Sequence, residues 1–282
     1  MTLIENASCH PRHWKNVDLE ECRHFGISGR DSSGNFAERL IRRMELEFAL
    51  CDRIVVPSEV AKQSFVERGF GEKTVVVQTG VDADFFSPDS IPESSTTFRV
   101  CFVGRLEFAK GVGYLLEAWK RLSLPRAELV LVGELKPQMV PMLKHHAGSD
   151  VRLTGFLPAH KVAQCYREAN LFVQPSPNEG LAQVLLEAMA SGLAVVATDQ
   201  TGAADCMVDG REGWKIPARS VDSLADAILW CYRHPAETQA MGRLARTRIE
   251  SHFTLEHYNQ RVLALYQEIA AVDSKRTEQL SR

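Results

Sequence analysis

From Phe98 onward, short apolar runs alternate with stretches in which apolar residues recur at helical spacing. Residues 98–103, 128–132, 151–154, 171–174 and 194–197 read as strands, several of them closed by a glycine (Gly104, Gly133, Gly155). Between them, residues 111–122, 137–147, 160–169 and 181–190 read as helices; Leu115, Leu116, Ala118 and Trp119 share one face of the first. Continuous apolar strands alternating with amphipathic helices predict a parallel sheet covered on both faces. The expected fold class is therefore α/β, with one complete doubly wound, Rossmann-like domain over residues 98–252. Its ligand is expected beyond the carboxyl ends of the strands.

The first part of the chain has fewer such units. Thr2-Leu3-Ile4, Arg53-Ile54-Val55-Val56 and Thr74-Val75-Val76-Val77 read as strands. Phe36, Leu40, Met44 and Phe48 recur at helical spacing, and a second helix is expected from Glu59 to a stop at Gly69. These pieces form an N-terminal part at 1–86, which the family resemblance set out below makes a partial Rossmann-like domain. Residues 87–97, rich in Ser, Pro and Thr, read as a linker. A final helix at 253–271 carries the apolar stripe Leu255, Tyr258, Val262, Leu265 and Ile269, and a polar tail at 272–282 is expected to be disordered. A sheet of only three strands is expected to leave an apolar face and an open edge, so a second copy or another partner is expected to cover it.

Composition narrows the class. Among 282 residues, 45% are hydrophobic and 24% charged, which is enough for a real core and argues against a disordered chain. The net charge of -3 speaks against a nucleic-acid binder, which should be basic. No apolar run approaches the roughly 18 residues of a membrane span. The seven cysteines are scattered without a CxxC, so neither a disulfide framework nor a zinc pattern is expected. A reducing, cytoplasmic compartment follows, with a peripheral position at the inner membrane surface as its variant.

Two segments could carry chemistry. In Gly104-Arg105-Leu106-Glu107-Phe108-Ala109-Lys110-Gly111, a strand end meets a helix start. Gly104 permits a tight turn, free N–H groups at the helix start favour an anion, and Arg105 and Lys110 add two cations. Together they could hold a diphosphate; the plainer alternative is two solvated loop cations. GxxxxGK[ST] is absent, so this is not a P-loop. The second segment runs from Pro175 to Gly192. Glu179 stands at the mouth of a helix and Glu187 eight positions on. On one helix that spacing gives a rise of about 12 Å, more than the roughly 5–9.5 Å between paired glycosidase carboxylates. The two acids could therefore grip separate parts of one elongated ligand, with the N–H groups of Gly180, Leu181 and Ala182 facing it. The alternative is a first-turn acid and a helix-surface acid.

The order GRLxxxKG, EGLxxxLLEAMASG, DGREGWKIPAR resembles the retaining glycosyltransferases of family 4. Upstream, CDRIVVPSE and TGVDADFFSP resemble segments of the same family, so the likeness runs from about Glu45 to Ala270. It implies the GT-B fold: two facing Rossmann-like domains with a nucleotide diphosphate sugar between them. On this resemblance Gly104, Arg105 and Lys110 would bind the donor diphosphate and Glu187 the ribose hydroxyls. Glu179 would be catalytic at the transferred sugar, beside the amides of Gly180, Leu181 and Ala182, and the backbone around Phe156 would meet the base. The final helix would cross back to the N-terminal part. Leu3-Ile4-Glu5-Asn6-Ala7-Ser8-Cys9-His10 resembles the strand and loop that carry an active-site His, which would place His10 beside the reacting sugar.

The resemblance implies sugar transfer from the nucleotide donor to a saccharide, lipid or small-molecule acceptor, without cofactor or metal. Asp82-Ala83-Asp84 is a DxD, but inside this hinge-like segment it is expected to be structural. Thr79, Ala182, Ala194 and Asp205 depart from residues frequent in the family, and Ala182 would narrow the sugar pocket. On this alignment the first half of the acceptor domain is missing. The alternative function is thus a truncated or partner-dependent nucleotide-sugar-binding half without activity alone. A PLP-dependent phosphorylase ranks below both, for want of a Schiff-base lysine in a family-type context.

Overall fold

The computed structural model describes residues 2–27, 38–88 and 97–280, with side chains through Ala271. Two parallel sheets organise it. β1 (Leu3–Glu5), β2 (Arg53–Val56) and β3 (Thr74–Val76) form the smaller sheet in the order β1-β2-β3, with Ile54 opposite both Ile4 and Thr74. The larger sheet comprises β4 (Phe98–Val103), β5 (Ala127–Val132), β6 (Val151–Gly155), β7 (Leu171–Gln174), β8 (Ala194–Thr198) and β9 (Gly213–Ile216), in the order β6-β5-β4-β7-β8-β9. The helices of the first part are α1 (Pro11–His24), α2 (Glu38–Leu50) and α3 (Glu59–Val66). Those of the second are α4 (Val112–Leu122), α5 (Val140–His146), α6 (Ala159–Glu168), α7 (Gln183–Ala190), α8 (Ala203–Cys206), α9 (Val221–Arg233) and α10 (Pro235–His252), followed by α11 (Leu255–Leu280).

The unbroken apolar strands of the larger sheet are explained by cover on both faces. Val100, Phe102, Leu129 and Leu131 pack with Leu115, Leu116 and Trp119 of α4 and Ile228 of α9. Their alternates Cys101, Val130, Phe172 and Val195 pack with Leu185, Leu186 and Met189 of α7 and Ile249 of α10. The smaller sheet buries Ile54 and Val56 against Phe48 of α2 and Phe65 of α3. Its opposite face is where the sequence expectation of an exposed apolar surface fails. Val55 and Val77 pack against Leu265, with Tyr258, Val262 and Ile269 alongside, so α11 covers that face.

Other expectations also need correcting. α1 shows no apolar pattern the eye would catch, because the residues it buries are Pro11, Asp18, Glu21 and Cys22. α7 begins at Gln183, two residues later than expected, leaving 179–182 as a loop. α11 continues through Leu280, past the boundary expected at 271, so the backbone expected to be disordered from 272 is helical that far. Residues 89–96 of the linker, Phe36 and residues 281–282 lie outside the described residues.

The two chain crossings between the parts run side by side. Val81 N–H donates to the Phe253 carbonyl at 2.8 Å, and Leu255 N–H donates back to the Val81 carbonyl at 3.2 Å. Arg246 of α10 fastens them: one guanidinium nitrogen donates to the carbonyls of Ala83, Phe86 and Ala190 at 2.6–2.9 Å. The Asp82 carboxylate accepts from the amides of Asp84 and Phe85 at 3.2 and 2.9 Å, a turn-forming role.

Candidate active site

The strand order reverses between β4 and β7, and chain connections leave those neighbours in opposite directions. In an open parallel sheet this is where a crevice forms at the carboxyl ends. The loops following these two strands are Gly104–Gly111 and 175–182, the two segments singled out in the sequence. Gly111 brings them together. Its φ is +71°, and a Cβ there would lie 2.0 Å from the Pro175 carbonyl oxygen, so only glycine fits. Lys110 precedes it, at the end of a 3-10 turn over Phe108–Lys110. The Lys110 ammonium pairs directly with the Glu179 carboxylate, and both side chains are largely buried.

A polar network supports this pair. Ser176, fully buried, donates to Glu179 Oε1 at 3.2 Å and accepts from Gln174 Nε2 at 2.8 Å. Thr198 Oγ1 donates to the Ser176 carbonyl at 2.5 Å. Sequence reading missed Ser176, Gln174 and Thr198; for Gln174 and Thr198 the available signal was a polar residue ending an otherwise apolar strand. It also passed over Asn178. This side chain is 3% exposed, yet both its amide atoms lack a partner among the described residues. Orphaned buried polar atoms are costly, and they call for water or a ligand.

Arg105, part-exposed, stands 3.0 Å from Glu107. Burial pushes the Glu107 carboxyl above its ordinary range. Glu187 lies on α7 and accepts from the buried Tyr166 hydroxyl at 3.1 Å. Burial raises its pKa, and the hydroxyl's bond opposes that shift. Phe156, just beyond β6, is 81% exposed. Glu179 and Glu187 do not share a helix, since α7 starts between them.

The amides expected to face a ligand divide into two sets. Ala182 N–H donates to the Thr201 carbonyl at 3.3 Å and is not free, whereas those of Gly180 and Leu181 have no protein partner among the described residues. Leu181 and Ala182 side chains are buried. Gly180 is pressed by the other part of the chain: a Cβ would sit 2.7 Å from the Ala7 carbonyl. Ser58, which caps α3, also donates to the Gly180 carbonyl.

His10 is placed differently from the expectation of a sugar contact. Its ring is 0% exposed, with ring centroids of Phe65, Phe48 and Phe70 at 5.1, 5.7 and 6.0 Å. Its Nδ1 accepts from Arg12 N–H at 3.2 Å and caps α1. Its neighbour Cys9 reaches the site instead, with Sγ 3.3 Å from the Glu179 carbonyl.

Known proteins share this arrangement of sheets and loops. Residues 97–234 match the family model described as "Glycosyl transferases group 1". These residues form a group 1 glycosyltransferase domain. A relative is the lipopolysaccharide core biosynthesis mannosyltransferase LpcC of Rhizobium leguminosarum bv. viciae, 32% identical over 82% of this chain and 66% of its own. Among solved structures, sucrose-phosphate synthase from Thermosynechococcus elongatus superposes with TM-score 0.78 at 22% identity, covering 96% of this chain and 68% of that one. HepE of Anabaena, in complex with UDP and glucose, gives TM-score 0.73 at 20% identity, covering 95% and 78%. The likeness to the two solved structures shows the GT-B fold. The chain spans about half the length of several curated relatives it matches. Among the described residues, no helix is long and apolar enough to cross a membrane.

Proposed function

We propose that the chain is a retaining glycosyltransferase of family 4, moving a sugar from a nucleotide diphosphate sugar to an acceptor hydroxyl. The observation that carries this reading is the meeting of Lys110 and Glu179 at the switch point between β4 and β7, with Arg105 alongside. Donor cleavage breaks the bond from the anomeric carbon to the diphosphate oxygen. The electron pair leaves with the diphosphate and positive charge builds on the sugar; the acceptor oxygen then bonds to the anomeric carbon, and its proton passes to the departing diphosphate. Arg105, Lys110 and the free amides of Gly180 and Leu181 stabilise the leaving anion. Glu179, bonded to Lys110 and Ser176, orients the sugar and supports its developing charge.

Glu187 takes the ribose hydroxyls; its raised pKa and single phenolic partner leave an acceptor poised for them. Exposed Phe156 marks the loop that meets the base. His10 acts from behind the loop, fixing residues 6–10 against Glu179. The cations at Arg105 and Lys110 take the role a metal would have, and no cofactor is required. The acceptor is a saccharide, lipid or small molecule. Buried free thiols suit a cytoplasmic setting.

The test is thermal shift against UDP, GDP and ADP, with and without attached sugars. One of these ligands at a hundredfold excess over its Kd should stabilise the chain by about 2.7 kcal/mol. Lys110→Ala should abolish that shift while still folding. No shift with any nucleotide, or an undiminished one in Lys110→Ala, overturns the reading.

A further inference from the structure

Glu21 is 0% exposed, and Glu is rarely buried unless paired. It belongs to α1, in the N-terminal part, yet both its partners belong to the glycosyltransferase domain. Oε1 accepts from Arg219 Nε at 2.6 Å and Oε2 from the Tyr114 hydroxyl at 2.8 Å. Arg219 also donates to Glu20 at 2.8 Å. Its φ is +64°, in the left-handed region that a non-glycine residue enters at a cost. The loop after β9 thus holds a strained residue where it meets Glu21.

The same helix end lies on the turn that carries Lys110. Phe25, which ends α1, has its ring centroid 4.4 Å from Phe108 and 5.1 Å from Tyr114. Gly113 makes room, since a Cβ there would stand 2.6 Å from the Phe25 ring. Phe108, Lys110, Gly113 and Tyr114 are successive faces of one short stretch, from the 3-10 turn into the first turn of α4. The Lys110 stem is long and flexible, so its ammonium is only as well placed as this backbone.

We propose that Glu21 is a positioning residue for the donor site: by joining Tyr114 and Arg219 it holds residues 108–114, and with them Lys110, in register with Glu179. The inference rests on the donor-site reading above for its consequence, but the geometry of the latch stands independently. Loss of the carboxylate leaves the Tyr114 hydroxyl buried without its acceptor and Arg219 with Glu20 alone. α1 then loosens from the turn, and a shift of about 1 Å in a charged group is enough to matter at such a site.

The test compares the full chain with Glu21→Ala, Arg219→Ala and the double variant, by amide hydrogen exchange and by titration calorimetry with UDP, GDP and ADP. Amides of residues 110–115 should exchange at least tenfold faster in each single variant, with residues 159–168 unchanged as an internal control. The Kd of the nucleotide that binds wild type should rise about tenfold, and the effect of the double variant should fall short of the sum of the two single effects, since both remove the Glu21–Arg219 pair. Unchanged exchange at 110–115, or additive effects of the two substitutions, overturns the proposal. Should Glu21→Ala fail to fold, Tyr114→Phe, which deletes only the hydroxyl, decides by the same exchange criterion. If wild type binds none of the three nucleotides the donor reading fails, and exchange still judges the latch.

Discussion

Three aromatic rings enclose His10, and burial lowers its pKa from 6.5 to about 4. The unfolded chain takes up a proton near 6.5 that the folded chain refuses until about 4. Stability should therefore fall as pH drops through that window, by about 3 kcal/mol at most, and fall no further below it from this group. His10→Phe keeps an aromatic ring but cannot titrate. Its urea-unfolding free energy should lack that part of the slope, while the lost α1 cap lowers it by about 0.5–2 kcal/mol at every pH. Parallel profiles for the two chains would refute this. Glu187 has the opposite sign. Its folded pKa is raised, so the folded state is penalised above the ordinary carboxylate range and unpenalised below it. Glu187→Gln should be more stable than wild type at pH 7, with the difference vanishing on acidification below about pH 4.5. The same variant should bind the nucleotide more weakly if Glu187 holds the ribose, a trade of stability for function.

Two glycines with the same φ of +71° separate backbone strain from packing at the level of the loop. A Cβ added at Gly155 would meet nothing within 4 Å, whereas one at Gly111 would meet the Pro175 carbonyl at 2.0 Å. Gly155→Ala should cost only the left-handed strain, about 1–2 kcal/mol. Gly111→Ala must also push β7's loop away and should cost about 4 kcal/mol by denaturant unfolding, together with nucleotide affinity. Equal losses would show that the close approach is not what Gly111 provides. These contrasts also explain what the sequence made legible. Strands such as those around 100–103 and 171–173 were readable because both faces are covered and these apolar runs are unbroken. α1 was not, because the face it buries includes Asp18 and Glu21, and Glu21 meets polar partners across the chain rather than an apolar core. Arg105, Lys110, Glu179 and Glu187 could be picked out by motif, but the Lys110–Glu179 pair could not. It depends on β4 and β7 being neighbours, a topological fact that no local pattern contains. The delayed start of α7 was hidden for a similar reason: the Ala182 amide is taken by Thr201, from the loop after β8.

At the scale of the molecule, the two parts differ in what holds them. The larger sheet builds most of its two cores with its own helices α4 to α10, to which the hinge adds Val81, Ala83 and Phe86. The smaller sheet has helices of its own on one face only. Its other face, with Val55 and Val77, is covered by α11, which comes from the far end of the sequence. Three strands with one bare apolar face are marginal, and each large side chain buried there contributes about 1.5–3 kcal/mol. Tyr258 adds a bond from α11 to Glu5 of β1 at 2.9 Å. A chain ending at Phe253 should therefore lose its N-terminal part first. The amides of Ile54, Val55 and Val77 should lose exchange protection, while those of β4, β5, β7 and β8 keep theirs, and heating should show two transitions in place of one. Arg246, whose guanidinium ties the hinge carbonyls Ala83 and Phe86 to α7, remains in that truncated chain. The hinge itself should therefore stay docked, and the loss should be confined to residues before it. Retained protection at Val55 and Val77 would mean that α2 and α3 suffice to hold the sheet, and that α11 is an appendage rather than its second layer.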